Sequence, residues 1–171
     1  VLSLAMTRVG SHQPIWDPMS ANRTQLSFVD IKRAYSNAKI EESDAPTFVS
    51  LPNEDPDSET MCGRPLRHTY GTRGAADGWQ EEYSTMLIGL GFTQGVSCPN
   101  VFHHADRKIH TSVHGDDSTS EGGKMALAWF EAEVAEKYEI KVSPRLGPGP
   151  DDAKEGSCFN RIIRWCDGRI E

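Results

Sequence analysis

Phe28-Val29-Asp30-Ile31-Lys32-Arg33-Ala34-Tyr35 and, far downstream, Val113-His114-Gly115-Asp116-Asp117 decide the reading of this chain. Each contains a short apolar run of β type that leads into aspartate, one in the first stretch and an adjacent pair in the second. A β-type run closing on Gly-Asp-Asp reads as a strand entering a hairpin tip. Three carboxylates delivered by two neighbouring strands are the inventory for paired divalent cations that clamp the attacking and leaving oxygens of a phosphoryl displacement. Magnesium takes oxygen ligands octahedrally, usually from one or two carboxylates plus substrate phosphates. Read alone, each stretch has a plainer alternative. Asp30 is also a good helix N-cap, and Asp116-Asp117 with Gly115 is also an acidic turn.

Outward from these stretches the pattern is mixed. Residues 1–25 combine a short apolar start with a polar connection from His12 to Thr24, and Thr47 to Leu51 alternates with the strand period. Pro52 to Glu59 is a proline-punctuated polar loop. Trp79, Tyr83, Met86, Leu87 and Leu90 form one stripe of a helix from about Ala76, stopped by Gly91. Asn100–His104 and Lys108–His114 read as a hairpin around Ala105-Asp106-Arg107. Leu127, Phe130, Val134 and Tyr138 mark a second helix from Gly123, and a strand follows to Val142. Residues 143–157, rich in Pro, Gly and acid, are expected to form a flexible loop, with a truncated strand region over 158–171. Strands, helix, hairpin, helix, strand describe an α+β fold with helices packed on one face of a mainly antiparallel sheet.

Composition bounds the rest. The chain has 171 residues, one domain's worth. No apolar run approaches the roughly 20 residues that span a bilayer, and the N-terminus lacks the basic start and apolar core of a signal peptide. It also lacks an initiator Met, so a fragment of a longer polypeptide is expected. Four scattered cysteines without CxxC fit incidental thiols in a reducing compartment. A net charge of −7 argues against an autonomous nucleic-acid binder, which normally shows a basic footprint.

The ordered motifs resemble the reverse transcriptase domain of copia-type LTR retrotransposons. Phe28 to Tyr35 is similar to that family's first palm motif, an aspartate followed five positions on by an aromatic residue. Tyr70-Gly71-Thr72-Arg73-Gly74-Ala75-Ala76-Asp77-Gly78-Trp79 resembles its YGLKQAPRAW segment. Leu90-Gly91-Phe92-Thr93-Gln94 resembles LGFTQ, with Pro99 and Phe102 following as in DPSLF. Val113 to Asp117 stands at the place of YVDD. The resemblance is collinear from about Leu26 to Ile163. It implies a palm-like core over 26–142, preceded by partial fingers, in an RNA-directed DNA polymerase. Asp30, Asp116 and Asp117 would be the catalytic and metal-binding residues, with two Mg2+ or Mn2+ ions. Asp116 would be the more direct ligand. Tyr35, Arg33, Ala34, Arg73 and Gly74 would border the nucleotide, Tyr35 excluding a 2′-hydroxyl. The implied partners are an RNA template, a DNA primer, deoxynucleoside triphosphates and other segments of a Pol polyprotein. The implied location is intracellular, in a cytoplasmic particle or the nucleus, with no membrane.

The chain departs from that pattern at several places. Gly74, Ala76 and Asp77 replace the family's glutamine, proline and arginine, and His114 replaces its tyrosine. Ser118-Thr119-Ser120-Glu121 stands where an apolar strand exit is usual. A rival zinc site drawn from His103, His104, His110, His114 and Cys98 meets a geometric objection. On a strand rising about 3.3 Å per residue, His110 and His114 are about 13 Å apart. A decayed, non-catalytic remnant and an acidic interaction module without metal chemistry are the alternative functions.

Overall fold

The computed structural model describes residues 23–41, 46–158, 161–166 and 169–170. The expected segment 1–25 therefore lies outside the described residues except for its last three. The chain divides into two compact units, Arg33–Tyr83 and the remainder on either side of it.

The larger unit is built on a six-stranded antiparallel sheet in the order β4-β5-β6-β7-β1-β8. Its strands are β1 (Thr24–Ile31), β4 (Thr93–Gln94), β5 (Val101–His104), β6 (Ile109–His114), β7 (Asp117–Gly123) and β8 (Ile140–Val142). Two-residue strands β2 (Val49–Ser50) and β3 (Cys62–Gly63) pair in the smaller unit. That pair is all that forms of the strand expected over 47–51, where Phe48 and Val49 are exposed. The smaller unit also holds the four-residue helix α1 (Ala34–Asn37), and the unit boundary falls within α2 (Ala75–Gly89). Trp79, Tyr83 and Leu87 of the expected α2 stripe are buried.

Helix α3 (Lys124–Lys137) lies against β7, β1 and β8. Its buried Leu127, Phe130 and Val134 are spaced as one helical stripe. Phe92 meets Phe130 with ring centroids 5.5 Å apart. The register places Val29, Ser120, Thr111 and Phe102 on this helix face, and Phe28, Thr119 and Ser112 on the other. Gly122 lets the helix come close, because a Cβ there would meet Ile109 and Leu127.

Strand β7 runs through the polar stretch that stands where an apolar strand exit is usual. Ser118, Thr119, Ser120 and Glu121 are all buried, and β7 is central, between β6 and β1. Buried polar groups cost free energy unless hydrogen-bonded, and three of these side chains are, Glu121 through its Oε2 atom. Ser120 Oγ donates to Thr111 Oγ1 at 2.8 Å, Thr119 Oγ1 meets Cys158 Sγ at 3.2 Å, and Glu121 Oε2 meets His110 Nδ1 at 3.0 Å.

Segment 143–157 also differs from the flexible loop that its composition predicts. The chain keeps pairing with β1 beyond β8: Ser143 N–H donates to Phe28 O, and Leu146 exchanges both backbone bonds with Leu26 at 2.8 and 2.9 Å. Between these pairs the register slips by one residue, a bulge at Pro144-Arg145, where proline's missing N–H is tolerated on an edge. The slip turns Arg145 to the helix face, where it forks onto Glu131 at 2.8 and 2.6 Å, and Ser27 donates to the same carboxylate. It turns Leu146 to the opposite face, into a second core with Leu26, Phe28, Ile163 and Trp165. That core is completed by β9 (Glu155–Cys158), β10 (Arg161–Cys166) and β11 (Arg169–Ile170), a three-stranded sheet. β9 thus begins inside the expected loop.

The segment is tied down a second time at Asp152. Arg23 donates to both carboxylate oxygens at 2.7 Å, and Gln25 and the Gly149 N–H add bonds at 2.6 and 2.8 Å. The Arg23 hydrogen bond is the main reason the Asp152 carboxyl is held down at about 2. A depressed folded-state pKa stabilises above the unfolded value near 4 and loses that contribution as pH falls through about 2. Asp152→Asn is expected to cost about 2 kcal/mol at pH 7. In urea melts against pH, the difference from wild type should shrink steadily from about pH 4 downward; a difference that persists unchanged at pH 2 contradicts the assignment.

Candidate active site

The aspartates of the two motifs meet. Asp30 of β1 stands directly opposite Asp117 of β7, and Ile31 N–H donates to Asp116 O at 2.8 Å. That bond makes Ile31 and Asp116 the hydrogen-bonded pair, so Asp30 and Asp117 form the closer, non-bonded pair, with Cα atoms about 4.5 Å apart. Gly115 at φ 61° opens the two-residue turn that joins β6 to β7. Asp116 has negative φ, so the turn is of type II′, which needs glycine first.

The row continues to both sides. His114 pairs with Asp117 across the hairpin, and Lys141 of β8 pairs with Asp30. Directly opposed residues share a sheet face, so Lys141, Asp30, Asp117 and His114 form one line across four strands. Burial lifts the Asp117 carboxyl above the ordinary range. The Asp116 and Asp30 carboxylates raise it further, and His114 opposes them.

Beside this row lies a cleft of about 510 Å3, within the range of ligand pockets. Phe28 and Val29 line it together with Asp30, Asp117, Lys141, Ser143, Ser157 and Cys158. Burial pushes the Cys158 thiol up, the Thr119 hydrogen bond lowers it, and Asp117 adds to the rise. Asp116 occupies the turn and does not line the cleft. Strand alternation turns neighbouring residues to opposite faces, and it is Asp117 that shares the face of Asp30.

Among the described residues no three His, Cys, Asp or Glu side chains converge to hold a metal ion by themselves. Two facing carboxylates nevertheless fit a hard divalent cation whose remaining ligands are water or substrate oxygens. His110 and His114 both lie on strand β6, which removes the helical spacing a zinc site would need.

The residues expected around the nucleotide belong to the smaller unit. Arg33 has left-handed backbone, φ 53° and ψ 41°, and precedes α1, whose Ala34 is completely buried. Tyr35 packs edge-on against Tyr70, with centroids 4.4 Å apart, so the aromatic residues of two separate motifs touch. Arg73 and Gly74 line a pocket of about 300 Å3 with Arg67, His68, Thr72 and Asp77. Gly78 is required there, because any Cβ would collide with the buried His68 ring.

Sequence reasoning missed Lys141, Ser143, Ser157 and Cys158. Lys141 is the alternate residue of a recognised strand run, but its register against Asp30 was not encoded locally. Ser157 and Cys158 reach the cleft only because β9 folds back. Compared with known proteins, the sequence matches no family model and no curated protein.

Asp30→Asn is expected to bring the Asp117 carboxyl closer to its ordinary value, read by carbon-13 NMR titration. A raised carboxyl stabilises the fold below its unfolded value near 4 and loses that contribution as pH rises through the folded value. The gain in stability on acidifying from pH 7 toward about 4 should therefore be smaller in Asp30→Asn. An unchanged Asp117 titration contradicts the facing pair.

Proposed function

We propose that this chain is a palm segment of an RNA-directed DNA polymerase from a copia-like retrotransposon polyprotein. On this reading the sheet is reverse-transcriptase palm-like with its helices on one face. The observation that carries it is the meeting of Asp30 with Asp116-Asp117. Two motifs distant in sequence bring their aspartates to one strand pair beside an open cleft.

Asp30 and Asp117 would hold a magnesium or manganese ion, and Asp116 would add negative charge at the tip. Bound cations supply activation of the attacking hydroxyl and neutralisation of the leaving pyrophosphate. The protein's own share is positioning and electrostatics. The β1–β7 ladder fixes the carboxylates, and Phe28 gives the cleft an apolar floor. Within the smaller unit, the resemblance implies that Tyr35, packed on Tyr70, would restrict the sugar and that Arg33, Ala34, Arg73 and Gly74 would border the nucleotide.

A decayed remnant of such a polymerase is the second reading. Gly74 favours it, since it has no side chain with which to donate a hydrogen bond to a nucleotide.

The chain is expected to bind Mn2+ weakly. Paramagnetic broadening should centre on the β1–β7 tip and disappear in Asp30→Asn. Primer extension on an RNA template is expected to be poor, because the net charge of −7 repels phosphate. Broadening away from the tip, or extension that survives Asp117→Asn, contradicts the site. Robust extension lost in Asp117→Asn removes the remnant reading.

A further inference from the structure

The row of the sheet that runs through Glu121 carries chemistry that the aspartate motifs leave unused. Thr93, His103, His110 and Glu121 stand opposite one another on β4, β5, β6 and β7. Directly opposed residues share a sheet face. The line therefore deepens from exposed Thr93, through half-buried His103 and His110, to fully buried Glu121. Val113 N–H donates to Asn100 O at 2.9 Å. Alternation along that ladder makes His103 and His110 a non-bonded pair, with Cα atoms about 4.5 Å apart. Their imidazoles are stacked, with centroids 4.4 Å apart and planes 18° from parallel. Behind them, Glu121 Oε2 meets His110 Nδ1 at 3.0 Å.

A neutral His110 that donates from Nδ1 to a carboxylate carries its lone pair on Nε2. Metal-ligating histidines are normally oriented by a carboxylate in this way. The buried Glu121 carboxylate is also costly until positive charge offsets it. A neutral imidazole supplies the hydrogen bond alone, whereas an imidazole bound to a cation supplies charge as well. Two nitrogens on one tetrahedral zinc ion, each about 2.0 Å from it, lie about 3.3 Å apart. Rings stacked as these are come to that separation by a rotation of one side chain. The objection to His110 with His114 is their spacing along one strand; His103 faces His110 across two.

We infer that His103 and His110 form a second cation site, for a divalent transition-metal ion that prefers imidazole nitrogen, of which zinc is the type. The two imidazoles are its protein ligands and water completes the coordination. Glu121 is a positioning residue that orients His110 from behind. The site is separate from Asp30 and Asp117, since Glu121 and Asp117 on β7 are about 13 Å apart. Oxygen donors there and nitrogen donors here select different ions. Nothing in it rests on the polymerase reading.

The test is nitrogen-15 NMR of the histidine rings in the whole chain, titrated with Zn2+ in the presence of a phosphine reductant. Nε2 of His110 and one ring nitrogen of His103 are expected to shift with a shared midpoint, while His68 and His114 stay in place. Mg2+ should move neither ring. His103→Gln should abolish the shared site, and Glu121→Gln should weaken it about 10- to 100-fold. The same zinc shifts are expected in Asp30→Asn, so a failed manganese experiment at the aspartates leaves this site standing. Rings of His103 and His110 that do not move with zinc in the wild type overturn the inference and make His110 a plain partner of a buried acid. Equal zinc affinity at His110 after His103→Gln also overturns it. Equal affinity in Glu121→Gln removes the positioning role. The wild-type titration decides the site even where Glu121→Gln fails to fold.

Discussion

The register of β1 between β7 and β8 is the constraint on which the candidate site depends. Side chains alternate across a sheet, so a slip of one residue would send Asp30 to the helix side and Val29 into the cleft. Several interactions hold the register at once. The Gly115 turn fixes where β7 begins, and Leu26 and Leu146 lock the far end through two reciprocal backbone bonds. The Arg145 fork onto Glu131 ties the same edge to α3, and Ser27 of β1 joins that carboxylate. Apolar burial alone would not fix the register so firmly, because β7 is short of apolar side chains.

The two faces of the sheet are held by different chemistry. On the helix side Leu127, Phe130 and Val134 bury against a surface that includes small residues of β7, and Gly122 permits the close approach. On the other side a second core of Leu26, Phe28, Leu146, Ile163 and Trp165 covers only part of the sheet. The uncovered remainder is the cleft. The three-stranded sheet thus supplies both the apolar cover for Phe28 and, through Ser157 and Cys158, one wall of the site. Gly156 sits at the junction, where a Cβ would press on Leu146 and Phe28.

Much of this was legible in the sequence. The helical stripes through Trp79 and Leu127 mark elements observed at Ala75–Gly89 and Lys124–Lys137, because amphipathic periodicity is a local signal. The hairpin that ends in Asp116-Asp117 and the strand that reaches Asp30 were legible for the same reason. What escaped depends on partners distant in the chain. Ser118 to Glu121 read only as a departure from an apolar strand exit because the partners of three of them, Thr111, Cys158 and His110, are invisible to a local pattern. Segment 143–157 read as a loop because prolines and glycines conceal an edge pairing made only with β1. The smaller unit was the least legible. Thr47 to Leu51 alternates as a strand should, yet only Val49–Ser50 pairs.

The polar centre of β7 carries a kinetic consequence. A strand composed of Asp-Ser-Thr-Ser-Glu-Gly-Gly contributes little to early hydrophobic collapse, although its neighbours β1 and β6 flank it on either side. β6 is delivered locally through the Gly115 turn, whereas β1 must arrive from far along the chain, closing a long loop before any of its contacts are made. Pairing across such sequence separation slows folding. By that criterion the seam between β1 and β7, where the two motif aspartates face each other, is expected to form late. On that order the candidate site and the central sheet depend on one and the same long-range pairing, and a molecule lacking it would present neither.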